Sequence, residues 1–147
     1  MTEEEKIEAL ARKLYGCISF EPGGKPDFDT LRTIFFDGAR LINNSGAKPG
    51  VVTVEGYIER FGGAIADGRI PSFQEKEVAS RTERFGKIAQ RFSTYESRHR
   101  VDDPEPFDAG INSVQMMAVD GEWLVTSLIW NNENEGRVIP EEYRHSA

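Results

Sequence analysis

The sequence predicts one α+β domain, in which helices come first and a mostly antiparallel sheet follows. Apolar residues recur at helical spacing before Ser72, and from there the period of the pattern shortens to about two. Later, Asp120-Gly121 supplies the two positive-φ positions of a type I′ hairpin turn between β-branched and aromatic residues. A length of 147 residues fits a single core, so residues 1–147 are expected to form one domain.

Three helices are predicted, and each follows a residue that can cap it. The caps are Thr2, Asp27 and Thr53. Thr2 opens a T-x-x-E capping box, and the first helix is expected to end near Gly16. The second helix is short and is broken by Asp37-Gly38. The apolar stripe of the third helix runs to Ile65.

Extended segments account for most of the remaining chain. Residues 39–43 are a short strand candidate, and the loop-forming residues 44–50 follow them. Long strands are expected at residues 73–84, at residues 87–99 and on both sides of the turn within residues 112–132. Pro140 keeps the tail out of a central strand, so the tail is expected to be an edge segment or a loose terminus.

A two-residue turn at Asp120-Gly121 implies a register for the hairpin, which assigns its side chains to two faces. One face then carries Ile111, Ser113, Gln115, Met117, Thr126, Leu128 and Trp130, and it is expected to meet the helices. The other face carries Val114, Met116, Ala118, Trp123, Val125 and Ile129. Both faces are largely apolar, and no element remains to cover the second one. The sequence therefore predicts a homodimer through the outer face of the sheet.

Composition and missing motifs exclude several classes of function. The formal net charge of −7 opposes binding to phosphate backbones, so no nucleic acid partner is expected. No apolar run approaches the roughly 20 residues of a membrane span, and the acidic first residues carry no secretory signal. Because Cys17 is the only cysteine, a cytoplasmic location is expected. The absence of metal-ligand, P-loop and dinucleotide motifs predicts no metal and no cofactor.

The order of elements and several short motifs resemble the nuclear transport factor two-like superfamily. The motifs are Phe85-Gly86-Lys87-Ile88-Ala89, residues 92–98 (FSTYESR), Gly110-Ile111-Asn112-Ser113 with Gln115, Asp120-Gly121 with Trp123, Trp130, and Ile139-Pro140 with Tyr143. Within the superfamily, the chain is similar to bacterial SnoaL-like proteins of unassigned function. The resemblance implies a cone-shaped, cystatin-like fold, with a cavity between the helices and the concave face of the sheet.

The resemblance also implies three positions for chemistry in that cavity. In isomerase-like members of the superfamily, a tyrosine of the first helix donates a hydrogen bond, a carboxylate moves a proton, and a protonated aspartate on a late strand completes the oxyanion site. Tyr15, Asn43 and Gln115 stand at these positions in turn. Neither Asn43 nor Gln115 can move a proton near neutral pH. A hydrogen-bonding cavity is therefore expected without the isomerase mechanism in that form.

The resemblance places Arg91, Tyr95 and His99 toward the same cavity, although the residue pattern of this strand permits either face. A buried arginine needs a carboxylate neighbour or an anionic ligand, and the alternative is a solvated arginine at the rim. His99 is the candidate general base, or else it belongs to an exposed Arg98-His99-Arg100 cluster. Tyr15 is either a hydrogen-bond donor to the ligand or the last apolar residue of its helix.

Two functions remain open on this basis. The first is an enzyme of the isomerase, dehydratase or cyclase kind, with His99 and Tyr15 as catalytic residues and a small apolar or amphipathic substrate. Its ligand contacts would be Asn43, Arg91, Tyr95, Gln115, Thr126, Leu128 and Trp130. The second is a non-catalytic ligand-binding or dimerisation module, and the absence of proton-transfer carboxylates from the implied positions favours it.

Overall fold

Three helices pack on one face of a six-stranded sheet in a computed structural model, which describes residues 1–146. The helices are α1 (Glu3–Ile18), α2 (Phe28–Ile34) and α3 (Val54–Ala66). The strands are β1 (Phe35–Asn43), β2 (Gly50–Thr53), β3 (Gln74–Phe85), β4 (Ile88–Arg98), β5 (Asp108–Val119) and β6 (Glu122–Asn132), and a short 3₁₀ turn (Glu141–Tyr143) follows them. Within residues 1–146, no helix is long and apolar enough to cross a membrane.

All three predicted helix caps form. Thr2 accepts a hydrogen bond from the backbone N–H of Glu5 at 3.1 Å and completes a capping box. Asp27 accepts from Thr30 N–H at 3.1 Å, and Thr53 Oγ1 accepts from the backbone N–H of the third residue of α3 at 3.0 Å. Each cap satisfies an otherwise unpaired N–H, which stabilises a helix by about 1 kcal/mol. The local sequence signals therefore place the starts of the helices correctly.

The sheet has the strand order β2-β1-β6-β5-β4-β3. Strands β3 to β6 form the predicted antiparallel meander, whereas β1 pairs with β6 in parallel. Two details differ from the prediction: β1 begins at Phe35, directly after α2, and β2 lies between the predicted loop and α3. Strand β2 pairs antiparallel with β1, so that it extends the sheet by one short strand.

A β-bulge at Thr126 corrects the predicted faces of the hairpin. Met116 pairs with Val125 but Gln115 pairs with Ser127, which leaves Thr126 as the extra residue of β6. The bulge shifts the alternation of β6, so Val125 and Leu128 both point to the core, with 1% and 5% of their surface exposed.

The even-numbered residues of β5 face the helices, contrary to the prediction. Val114 and Met116, like Trp123 and Val125 of β6, belong to the hydrophobic core. Leu128 lies inward as predicted, but it pairs with Val114 rather than with Ser113. Four of the residues predicted for the outer face thus join the core, whereas Ile129 is 39% exposed and lies on the outer face as predicted.

The outer face is partly covered by the chain's own tail. The ring of Tyr143 packs edge-on against Phe92 at 5.3 Å between centroids, and the Arg81 guanidinium lies 5.2 Å from the Tyr143 ring. Thr94 Oγ1 also donates to the Tyr143 carbonyl at 2.6 Å. A homodimer through this face stays a prediction, but the buried Trp123 and Val125 are not its contacts.

Candidate functional site

A cavity of about 360 Å³ lies between the helices and the inner face of the sheet. Its apolar wall comprises Leu14, Ile18, Leu31, Phe35, Leu41, Phe61, Ile70, Phe73, Phe107, Leu128 and Trp130. Its polar lining comprises Tyr15, Asn43, Tyr57, Glu75, Tyr95, Ser97, Asp108, Asn112 and Asn132. An apolar cavity with a few converging polar groups is typical of a small-molecule site, and this volume lies near the lower end of the usual range.

Glu75, Ser97 and Asp108 form a polar row across three strands. Strand register places Ser97 opposite both carboxyl residues, with Glu75 on one side and Asp108 on the other. Ser97 Oγ donates to Glu75 Oε2 at 3.0 Å. Burial raises the pKa of Glu75 to about 7, the Ser97 hydrogen bond opposes the rise, and the charge of Asp108 adds to it. Glu75 can therefore both hold and release a proton near neutral pH.

A second row, two residue pairs further along the strands, holds Asp108 in place. The Tyr95 hydroxyl donates to Asn132 Oδ1, and Asn132 Nδ2 donates to Asp108 Oδ2 at 3.1 Å. Burial raises the pKa of the Tyr95 hydroxyl, so this tyrosine stays neutral and keeps its proton. Burial also raises the pKa of Asp108. The orientation of one cavity carboxyl thus depends on a buried tyrosine of the neighbouring strand.

Arg91 lies outside the cavity, which corrects its predicted role as a ligand contact. Its side chain is 2% exposed and forms ion pairs with Glu77 at 2.5 Å and Glu8 at 3.0 Å. It also donates to Thr82 Oγ1 at 2.8 Å. Of the alternatives that the sequence left open for a buried Arg91, the structure shows carboxylate neighbours.

Hydrogen-bond directions can be followed from this ion pair to the cavity. Glu77, paired with Arg91, accepts from Ser93 Oγ at 2.5 Å. Because a hydroxyl has one proton, the 2.5 Å contact between Ser93 and Tyr15 requires Tyr15 to be the donor. Tyr15 in turn accepts from Asn112 Nδ2 at 2.9 Å. The Tyr15 proton is therefore used within the protein, and the Asn112 carbonyl oxygen keeps no partner among residues 1–146.

Tyr57 is a neutral donor that the cavity leaves free. Its ring packs against Phe61 with 5.7 Å between centroids, and its hydroxyl has no hydrogen-bond partner within the described part of the chain. Burial and the nearby charge of Glu75 raise the pKa of Tyr57. The sequence analysis missed Tyr57, which it interpreted as part of an apolar stripe of α3, as well as Glu75 and Asp108.

The predicted site residues divide into two groups. Five of them line the cavity, namely Tyr15, Asn43, Tyr95, Leu128 and Trp130. Four do not, and besides Arg91 these are His99, Gln115 and Thr126. The roles of the first group as ligand contacts stay predictions.

Each misplaced residue has a structural reason. His99 follows the end of β4 and is exposed, and its ring stacks on Phe107 with 4.2 Å between centroids. Gln115 is exposed on the outer face, because β5 turns its even-numbered residues inward. Thr126 lies at the bulge, where its hydroxyl donates to the Gln115 carbonyl at 3.2 Å. His99 is therefore not placed to act as the base of this cavity.

Metal binding finds no ready-made site in residues 1–146, since no three His, Cys, Asp or Glu side chains are grouped to hold an ion. Glu75 and Asp108 are the two carboxyl residues that line the cavity. The chemistry that the described side chains can supply is proton transfer and hydrogen bonding.

Glu75 should make the stability of the protein depend on pH in a definite direction. Its pKa rises from an ordinary 4.5 to about 7 on folding, so the folded state binds the proton more tightly. The stability that the folded protein gains from this proton is fully present below pH 4.5 and is lost as the pH rises to about 7. Relative to wild type, Glu75→Gln should therefore gain about 1 to 3 kcal/mol of unfolding free energy between these limits, measured by urea denaturation. Glu122→Gln, an exposed change of the same charge, should show no such gain.

Comparisons with known proteins identify the fold. The sequence matches no protein-family model and no curated protein. A protein of unknown function with a cystatin-like fold from Nostoc punctiforme is similar in structure, with a TM-score of 0.71 and 12% identity over 90% of this chain and 92% of that one. An NTF2-like protein from Cytophaga hutchinsonii has a TM-score of 0.66 and 15% identity over 90% of this chain and 100% of that one. LinA has a TM-score of 0.69 and 12% identity over 89% of this chain and 86% of that one. The chain therefore has the nuclear transport factor two-like, or cystatin-like, α+β fold that its sequence motifs predict.

Proposed function

We propose that this protein is an enzyme that moves a proton within a small, largely apolar molecule, in a reaction of the isomerase or dehydratase kind. The observation that carries the proposal is the position of Glu75, whose carboxyl group lines an apolar cavity with a pKa of about 7. A group with this pKa is suited to general acid-base catalysis at neutral pH. Perturbed carboxyl groups in cavities are also a frequent mark of active sites.

The geometry supports a particular division of roles. The Glu75 carboxylate takes a proton from a carbon beside a carbonyl group, and the electron pair of that C–H bond moves toward the carbonyl oxygen. The Tyr57 hydroxyl, which has no partner in residues 1–146, donates a hydrogen bond to the developing oxyanion. Protonated Glu75 then returns its proton, either to another carbon in an isomerisation or to a departing hydroxyl in a dehydration. Ser97 holds the carboxyl in place throughout.

The structural neighbours are compatible with this proposal without choosing the chemistry. They share the fold at 12% to 15% identity, and none of the three has a stated function. One fold of this kind supports many activities, so the argument depends on the side chains of the cavity. These place a titrating carboxyl and a neutral hydroxyl in a mainly apolar space.

Proton abstraction can be tested without knowledge of the natural substrate. Phenylacetone and cyclohexanone carry weakly acidic C–H groups and are small enough for the cavity. In D₂O, the wild-type protein is expected to catalyse deuterium exchange at these positions, as followed by proton NMR. The rate should increase as the pH rises through about 7, because the carboxylate form of Glu75 is the base. Glu75→Gln should lower the rate by about 100-fold.

Matched variants separate this mechanism from general base catalysis by the protein surface. Glu122→Gln removes one exposed carboxylate and should keep the wild-type exchange rate. Tyr57→Phe should reduce the rate and leave its pH dependence in place. An equal rate in wild type and Glu75→Gln would refute the role of Glu75.

The second candidate function is non-catalytic ligand binding, and the hydrogen bonds of Tyr15 favour it. Its proton is directed to Ser93, so Tyr15 offers no hydrogen to a ligand in this arrangement. Binding of phenylacetone, detected by NMR line broadening, with no deuterium exchange at any pH would support this alternative over the enzyme.

A further inference from the structure

The acidic groups of the inner sheet face are not all neutralised in the same way. Glu77 forms an ion pair with the buried Arg91, whereas Glu75, two residues earlier on the same strand, is bound by the neutral Ser97. Asp108 likewise accepts from a neutral partner, Asn132. None of the described residues that line the cavity is a lysine, an arginine or a histidine. Two carboxyl groups thus share the cavity without a cationic partner from the protein.

Asn112 contributes one further hydrogen-bond acceptor to the cavity. Asn112 is 5% exposed, and its amide N–H₂ faces Tyr15 because Tyr15 must donate to Ser93. Its carbonyl oxygen is left without a partner within residues 1–146, in a residue that lines the cavity. This acceptor is independent of the two carboxyl groups. It lies four residues from Asp108 on β5, with Gly110 and the Tyr95 hydroxyl between them, so it would meet a different part of the ligand. Glu75 and Asp108, which both pair with Ser97, match a ligand that carries several N–H donors on one atom.

The apolar wall of the cavity also suits a positive charge. Trp130, Phe61, Phe73 and Phe107 contribute aromatic rings to it, and Tyr57 and Tyr95 contribute two more. The faces of such rings attract ammonium groups, most strongly where water is excluded. An anionic ligand would instead meet two carboxyl groups and no cation.

We infer that the natural ligand of this cavity is a small amine with an aromatic or alicyclic body, bound as its cation with the ammonium group near Asp108 and Glu75. The inference deepens the proposed function, since it concerns the same cavity. An ammonium group beside Glu75 favours the carboxylate form, so that binding of the substrate would prepare the base for proton transfer.

Three probes of similar size and different charge test this inference. Phenethylamine is a cation at pH 7, phenethyl alcohol is neutral and phenylacetate is an anion. By isothermal titration calorimetry, the wild-type protein should bind phenethylamine about tenfold more tightly than the alcohol, since one charge-assisted hydrogen bond is worth that much. Phenylacetate should bind most weakly. At pH 7, binding of the amine should also release a proton, and this release should disappear in Glu75→Gln.

Variants decide whether the preference arises in the cavity. Asp108→Asn should remove most of the preference for the amine, whereas Asp37→Asn, an exposed change of the same charge, should keep it. Circular dichroism confirms that each variant is folded, and Glu75→Gln provides a second cavity change should Asp108→Asn unfold. Equal binding of amine and alcohol, or a preference that survives both cavity changes, would overturn the inference. If the protein prefers the amine but catalyses no deuterium exchange, only the proposed enzymatic activity is overturned. If it catalyses exchange but does not prefer the amine, only the inference of an amine ligand is overturned.

Discussion

Arg91→Met is expected to lower the free energy of unfolding by about 3 to 5 kcal/mol, because it leaves a buried carboxylate without its partner. The Arg91 side chain is 2% exposed, and Glu77, its closer partner, is 19% exposed. Glu8 is half-exposed, so water can replace its ion pair. The cost therefore falls on Glu77, and urea denaturation at pH 7 would measure it.

The loss can be assigned to the buried charge by two further variants. Arg91→Met combined with Glu77→Gln should recover a large part of the stability, because no uncompensated charge then remains inside. Arg84→Met is the matched control, since Arg84 pairs with the exposed Glu4 at 2.8 Å near the surface. Such surface pairs contribute at most about 1 kcal/mol. Equal destabilisation by Arg91→Met and Arg84→Met would contradict the interpretation.

The effect of Arg91 should also reach the cavity, although Arg91 does not line it. Arg91 forms an ion pair with Glu77, which accepts from Ser93, and this fixes the direction of each hydrogen bond from Ser93 through Tyr15 to Asn112. Arg91 is therefore a positioning residue for the polar end of the cavity. The resemblance placed Arg91 on the inner face of the sheet, and the side chain does lie on that face. It pairs there with Glu77 and does not line the cavity.

The helices and the hairpin turn were predictable because their signals are local. A helix cap is decided by a few neighbouring residues, as at Thr2 and Asp27. The turn at Asp120-Gly121 has the two positive φ angles that an Asp-Gly pair predicts, 52° and 81°. No distant part of the chain is needed to read either signal.

The faces of the long strands were not predictable because two bulges shift the alternation. One lies at Thr126, and the other lies in β3, where Glu77 pairs with Tyr95 but Ala79 pairs with Thr94. Both parities of these strands mix polar and apolar residues, so a one-residue insertion leaves no mark in the hydrophobic pattern. The bulge at Thr126 is why the hairpin register assigned Gln115 to the cavity face, and no face was predicted for Glu75. The run of charges around Glu75 and Glu77 resembles a solvated strand until the partner strands are known.

Gly110→Ala should destabilise the protein by about 3 kcal/mol or more, which is the upper range for overpacking a core. A Cβ atom at Gly110 would lie 2.7 Å from Tyr95 Cζ and would overlap the Tyr95 hydroxyl and the backbone carbonyl of Asn131. Tyr95 is 2% exposed, so its ring has little room to move. Thermal and urea denaturation would measure the loss.

Gly110→Ala should also weaken the preference of the cavity for an amine, with a smaller effect on the volume of the cavity. Displacement of the Tyr95 ring breaks its hydrogen bond to Asn132, which orients Asp108. A folded fraction of Gly110→Ala should therefore lose much of the preference for phenethylamine over phenethyl alcohol. Gly16→Ala is the matched control, because no atom lies within 4 Å of a Cβ there and alanine favours a helix. If Gly110→Ala were as stable and as selective as Gly16→Ala, Tyr95 would not be the support on which Asp108 depends.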